Sequence, residues 1–195
     1  MIETIYIESE IRSHPRTKSI LSRFSKARIV ECERYGEVFN PKKQNFRLQK
    51  KKPALILARK HGNFILDAPK GFGIGGRKNY YFSHMLNCIY DCRYCFLQGM
   101  YRSANYVLFV NYEDFQNEIN NIVEQNPDEE EITFFSGYDC DSLALESVTR
   151  FVREFLPFFQ KHKKAVLELR TKSINVDELL NHEVIPNCVV AYSFT

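Results

Sequence analysis

From residue 80 to residue 194, short runs rich in β-branched and aromatic residues alternate with longer apolar stripes at helical spacing. Nothing else in the chain constrains its fold as tightly. Residues 80–83, 132–135, 166–169 and 189–194 read as strands. Behind Asn111 as an N-cap, Tyr112, Phe115, Ile119, Ile122 and Val123 recur on one helical face. Behind Asp141, Leu145, Val148, Val152, Phe155 and Phe159 do the same. An extended piece over 107–110 precedes the first helix, and a short helix around 176–180 precedes the last strand. Strands that alternate with helices form βαβ units and a parallel sheet. If such a sheet curls toward a barrel, functional groups gather at the C-terminal ends of its strands. That rule selects the loop after the first strand, residues 136–140, residues 170–172 and Ser193, and expects them to converge on one rim. Four strands cannot close a barrel and leave an open edge. The sequence therefore reads as the N-terminal part of a longer protein whose later strands carry further substrate contacts.

The loop after the first strand holds Cys88, Cys92 and Cys95 in a Cys-x3-Cys-x2-Cys pattern, with Tyr94 and Phe96 flanking the last. A 4Fe-4S cube has four irons, so three thiolates on one short loop leave the fourth iron open to an exogenous chelating molecule. The competing reading is zinc, which prefers four tetrahedral ligands. Its fourth ligand would be His84, Cys140 or a more distant group, and no second paired knuckle exists. Cysteine arithmetic favours the cluster and keeps zinc as the alternative. A disulfide framework is poorer, because no N-terminal stretch reads as a signal peptide. All six cysteines suit a reducing, cytoplasmic setting, with Cys32 and Cys188 as buried thiols.

The residues before this region form an N-terminal extension, 1–78, with structure of its own, and the core runs over 79–195. Residues 5–7 and 54–58 read as strands, and 15–26 as a helix with Ile20, Leu21 and Phe24 inward. Gly71, Gly73 and Gly76 match dinucleotide spacing but precede a strand-like run, so they read as a flexible approach rather than a phosphate cradle. At 195 residues, 44% hydrophobic, the chain can bury a substantial core, and no run of about 18 apolar residues suggests a membrane span. A net charge of +3 is too small to imply nucleic-acid binding by itself. Residues 41–60, however, carry eight basic side chains and no acid, interleaved with Gln44, Asn45, Phe46 and Gln49 that could hydrogen-bond or stack against a phosphate backbone. The plainer reading is a solvated basic loop entering a strand, and residues 128–131 read as a solvated acidic turn.

The cysteine spacing followed by an aromatic residue resembles the radical S-adenosylmethionine (SAM) superfamily. More narrowly, the chain resembles the spore photoproduct lyase family. The resemblance rests on Ile5-Tyr6-Ile7-Glu8, on Cys92-Arg93-Tyr94-Cys95-Phe96-Leu97-Gln98 and on Val110-Asn111. It continues through Asp141 with Ala144-Leu145-Glu146, Thr171-Lys172, Val176-Asp177 with Leu179-Leu180, and Ser193. It implies an α/β fold in which the first four βα units of a radical SAM (β/α) barrel follow an α/β extension; complete members have an open six-stranded barrel. It implies a lyase that repairs an ultraviolet-induced thymine dimer in DNA by 5′-deoxyadenosyl radical chemistry, fed by an electron donor such as flavodoxin or ferredoxin. Cys88, Cys92 and Cys95 would hold the 4Fe-4S cluster, Lys172 would pair with the SAM carboxylate, and Ser193 would hydrogen-bond the same end. Two positions depart from the family. Its hydrogen-returning cysteine falls on Tyr138, with a nearby family serine on Cys140, and a hydrogen-relaying tyrosine falls on Phe96 while Tyr94 is retained. Cys140 or Tyr138 would then return hydrogen to the product. The alternatives are a radical SAM enzyme with a different substrate and a zinc-binding nucleic-acid module without catalysis.

Overall fold

The computed structural model describes residues 2–194. In chain order its elements are β1 (Thr4–Glu8), α1 (Pro15–Leu21), β2 (Arg28–Cys32), α2 (Gly36–Phe39), α3 (Phe46–Lys51), β3 (Leu55–Ala58), β4 (Leu66–Asp67) and β5 (Lys78–Tyr81). There follow β6 (Met85–Leu86), α4 (Leu97–Met100), β7 (Tyr106–Phe109), α5 (Tyr112–Gln125), β8 (Ile132–Phe135), α6 (Glu146–Thr149), α7 (Phe151–Lys161), β9 (Ala165–Thr171), α8 (Asp177–Leu180) and β10 (Cys188–Tyr192). These form two compact units. The first takes the chain up to Lys60 together with His84–Asn111; the second takes His61–Ser83 and the chain from Tyr112 onward.

The first unit is built on a sheet of order β2-β1-β3-β7-β6, parallel except for the short antiparallel β6. Its centre, β3 and β7, is buried at every position, as expected of a parallel strand covered on both faces. Strands over 5–7 and 54–58 were expected, and β1 and β3 are those strands. The piece over 107–110 is β7, paired with β3 rather than isolated. Pro15 at the first helical position and the His14 Nδ1, which accepts from Arg16 N at 3.2 Å, start α1. The helix ends at Leu21, short of the expected residue 26, because Arg23 N and Phe24 N turn back to carbonyls three residues earlier. Glu8 is wholly buried at the end of β1, where its carboxylate accepts from Tyr35 N at 2.7 Å and Arg59 N at 2.8 Å. Burying that charge is tolerable because both oxygens are satisfied.

The second unit has the sheet order β10-β9-β8-β5-β4. The pairs β5–β8, β8–β9 and β9–β10 are all parallel, and β4 closes an antiparallel hairpin onto β5. The four expected strands of the core thus lie side by side in sequence order. Phe82, Phe151 and Phe155 stack as the aromatic heart of this unit, with centroids 4.4 Å apart for Phe151–Phe155 and 5.4 Å for Phe82–Phe155. The glycine-rich segment 71–76 is a run of turns leading into β5, with no helix behind it.

Two expectations for this unit need correction. The stripe behind Asp141 is not one helix: it breaks at Arg150, whose φ of 50° is left-handed. Glu146 enforces the break, since its carboxylate accepts from Phe151 N and Val152 N, each at 3.0 Å, and so caps α7. Asp141, moreover, spends its side chain elsewhere, as described below. The chain also does not pass directly from β5 to the cysteines; β5 ends at Tyr81 and β6 intervenes.

Candidate active site

In the first unit the cysteines occupy the loop between β6 and α4. Asn87, buried with φ 74°, fixes where that loop begins. Its Nδ2 donates to Ser103 O (2.9 Å) and Asn105 O (3.1 Å), and its Oδ1 accepts from Cys88 N (2.9 Å). Tyr90 N points at Cys88 Sγ from 3.5 Å, a backbone donor suited to a thiolate. A turn with Cys95 N bonded to Cys92 O (3.0 Å) draws the other two cysteines together. Lys50 of α3 reaches Asp91 and lies 3.4 Å from Gln98 Oε1, while Gln98 Nε2 donates to Asp91 Oδ1 at 3.0 Å. The Lys50 hydrogen bond, more than any other influence, holds the Asp91 carboxyl below its ordinary pKa. A small, open cleft lies beside this loop, lined by Phe46, Lys50, Cys88, Tyr90, Cys95 and Tyr106 among others. Tyr94 and Phe96 point outward, 67% and 56% exposed.

The basic segment is solvated as expected, with Lys42, Lys43, Arg47, Lys51 and Lys52 exposed, but part of it is the helix α3 rather than loop. Asn45 caps α3 by accepting from Leu48 N at 3.0 Å. Gln49 is structural too, its Oε1 accepting from Ala104 N at 2.9 Å and Ser103 Oγ at 3.2 Å. Cys32 and Cys188 are half-buried rather than fully buried. Burial pushes each thiol up to about 11, with Glu8, Glu37 and Glu33 adding to it for Cys32, so neither is reactive at neutral pH.

In the second unit the candidate groups follow strand ends. After β8, Ser136 Oγ donates to Glu168 O (2.9 Å) and lies 2.8 Å from Ser142 Oγ. Gly137 sits so close that a Cβ there would meet Ser142 Oγ at 2.9 Å and Arg170 O at 3.0 Å, which leaves room for glycine alone. Tyr138 is half-exposed, its ring 4.3 Å from that of Tyr81. Cys140 is buried, with Sγ 3.8 Å from Ser136 O. Asp141 straps two loops together: Oδ1 accepts from Leu143 N (3.0 Å) and Thr171 Oγ1 (2.7 Å), and Oδ2 from Lys172 N (2.6 Å). Lys172 Nζ donates to Ser193 O at 3.1 Å, and Ser193 N donates to Thr171 O at 2.9 Å. The two residues expected at one end of SAM are thus neighbours. Sequence reasoning missed the roles of Asp141, Lys50 and the Glu168–Arg170 pair taken up below; of these, only the last left a sign, an acid and a base two apart in a strand.

The donor set fits a cluster ligand loop. Among the described residues no three His, Cys, Asp or Glu side chains come close enough to hold a metal ion, so the loop carries its three thiols without closing them on a centre. His84, the nearest nitrogen ligand in sequence, is wholly enclosed and held to about 3 by burial. The three cysteines are half-exposed. A tetrahedral zinc site using both would have to open the core, whereas an iron left with an outside ligand needs no fourth side chain.

Residues 1–194 match the family model of spore photoproduct lyase. Solved structures that this chain resembles are spore photoproduct lyases. A cysteine-to-serine mutant superimposes with a TM-score of 0.84 at 19% identity. A complex with dinucleoside spore photoproduct and a double mutant with bound AdoMet and the same dinucleoside both give 0.83 at 20%. In each case 100% of this chain is covered, and it spans 56% of the other's length. At such identity the likeness lies in the fold. No curated protein matches the chain significantly.

Proposed function

Because the chain belongs to the spore photoproduct lyase family, we propose that it is a radical SAM lyase acting on an ultraviolet-induced thymine dimer in DNA. In this reading its parallel strands are the first four βα units of a radical SAM barrel over 79–195, behind an α/β extension over 1–78. The observation that carries it is three half-exposed thiols on one anchored loop, within a chain that matches the family from end to end. Cys88, Cys92 and Cys95 would hold a 4Fe-4S cluster, and a SAM chelated to it supplies, when bound, a 5′-deoxyadenosyl radical. Lys172 offers a cation at a strand end, as a buried carboxylate requires, and Ser193 stands beside it. The AdoMet and dinucleoside bound in the relatives' structures support both ligands.

For hydrogen return, accessibility favours Tyr138 over Cys140. The tyrosine is half-exposed, while the thiol is 4% exposed and directed at Ser136 O. Tyr94, exposed on the cysteine loop, retains a phenolic O–H that Phe96 lacks. Because the hydrogen donors depart from the family at both Tyr138 and Phe96, a second reading is a radical SAM enzyme with a different substrate. The electron donor would be a flavodoxin or ferredoxin, and the setting the cytoplasm. Among the described residues no helix is long and apolar enough to cross a membrane.

Anaerobic reconstitution should yield brown protein with about four irons per chain, the content of one cube. Cys92→Ala should lose both iron and colour, and irradiated DNA should stimulate deoxyadenosine release under dithionite. A Cys92→Ala variant with an intact cluster, or a colourless zinc-loaded protein, would remove the reading. Release indifferent to DNA would favour the other substrate.

A further inference from the structure

Two charged side chains of β9 have no role in that reading. Glu168 and Arg170 lie two residues apart and so share one face of the strand. The Glu168 side chain is 0% exposed. Its Oε1 accepts from Arg170 Nε at 2.7 Å and lies 2.7 Å from Nη2 as well. Its Oε2 has no hydrogen-bond partner among the described residues. Arg170 is held on two further sides. Its backbone N donates to Ser142 Oγ at 3.1 Å, and its guanidinium lies over the Phe72 ring, 5.5 Å from the centroid. Phe72 is itself fixed edge-on against Phe135 at 4.8 Å, and Phe135 is the register partner of Glu168.

A carboxylate buried against one arginine is a poor route to stability, because desolvation offsets most of the attraction. What the arrangement does provide is an immobilised guanidinium with 42% of its side chain still exposed. It stands where parallel strands end, in a unit that also presents half-exposed Tyr138, whose ring is 6.2 Å from Phe72 and 4.3 Å from Tyr81. A fixed, planar, permanently charged donor recognises an oxyanion with little further loss of freedom, and aromatic faces suit bases. We propose that Arg170 binds the phosphodiester joining the two nucleosides of the substrate, and that Glu168 is the residue positioning it. This rests on the lyase reading and deepens it: the preferred substrate is phosphate-linked, not a free dinucleoside.

The test compares the dinucleoside form of the lesion with the same lesion carrying its phosphodiester, both by equilibrium binding to the protein and by kcat/KM of the reconstituted enzyme. The phosphate-linked ligand should bind about tenfold tighter or more, the scale of a charge-assisted hydrogen bond, and the advantage should shrink with salt. Arg170→Gln should abolish the advantage; Glu168→Gln should reduce it. Arg170→Gln leaves a buried carboxylate without its cation, so the double variant Glu168→Gln/Arg170→Gln, which buries no charge, covers the case where the single variant fails to fold. Equal binding of both ligands by the unmodified protein, or a preference that survives in the double variant, overturns the proposal and leaves the lyase reading intact. If neither ligand binds and irradiated DNA does not stimulate SAM cleavage, the lyase reading fails and the proposal with it.

Discussion

The two units present their candidate groups by contrasting means. In the unit bearing the cysteines, the candidate thiols ride on a loop anchored at its start by the buried Asn87 amide and steadied by the solvent-facing Lys50–Asp91–Gln98 group. In the other unit, each candidate group directly follows a parallel strand, and buried hydrogen bonds lace consecutive loops together. Sites on rigid elements keep their geometry without a ligand, whereas sites on loops acquire it when the ligand binds. Under the proposed function, the cysteine loop is the part that a cluster would complete, whereas the strand-end groups are ordered beforehand.

The sharpest way to break this comparison is to remove Asp141. Asp141→Ala would leave Leu143 N, Thr171 Oγ1 and Lys172 N without their acceptor. At roughly 1–3 kcal/mol for each buried group left unpaired, the loss should be about 3 kcal/mol or more, and Asp141→Asn should recover part of it. Urea titration of the two variants measures both. A substitution to alanine without cost would mean that the strand-end loops are not organised by this carboxylate.

The pH response should separate the units by sign. Glu146 in the second unit is raised to about 7, first by burial and only partly offset by the bonds it accepts from Val152, Thr149 and Phe151. A carboxyl raised in the folded state binds more protons there than in the unfolded chain. Its contribution is therefore full below its ordinary 4.5 and is lost as pH rises through about 7. His84 in the first unit is lowered to about 3 by burial, so its contribution is full above its ordinary 6.5 and is lost as pH falls toward 3. Each effect is on the order of a few kcal/mol over its window. Relative to wild type, Glu146→Gln should become less disfavoured between pH 4.5 and 7.5, and a variant replacing His84 with phenylalanine less disfavoured as pH drops below 6.5. Parallel denaturation curves at several pH values check both, and slopes of the same sign would erase the distinction.

How far the sequence revealed these features follows from the range of the interactions involved. β5, β8, β9 and β10 were legible because each is a short apolar or aromatic run between breakers, a local signal. β2 was missed because Arg28, Ile29 and Glu31 face outward on an edge strand, so no apolar alternation marks it. Asp141 has the right type and position for a helix cap, but its competing donors, Thr171 Oγ1 and Lys172 N, lie about thirty residues away. The helix break at Arg150 was hidden for a similar reason: the apolar stripe keeps helical spacing across it, and only the direction taken by the Glu146 side chain reveals the interruption. The three candidate ligand cysteines stand out by spacing alone, whereas Lys50 as the partner of Asp91 requires α3 to fold back over forty residues of chain.

The smallest expected effect concerns that last pair. The Asp91 side chain is 71% exposed and that of Lys50 34%, so the pair is open to solvent and its attraction is screened. Lys50→Ala should leave the urea midpoint unchanged within error. What it removes is a restraint on the loop between Cys88 and Cys92, so the consequence should appear in the ligand rather than in the fold: the reconstituted variant should bleach faster in air. High salt, which weakens the same pair in the wild type, should bring its bleaching rate toward that of the variant. If Lys50→Ala instead lowers the midpoint while bleaching stays constant, α3 supports the sheet rather than the cysteine loop, and the contrast between a loop that a ligand would complete and a preformed strand end loses its first half.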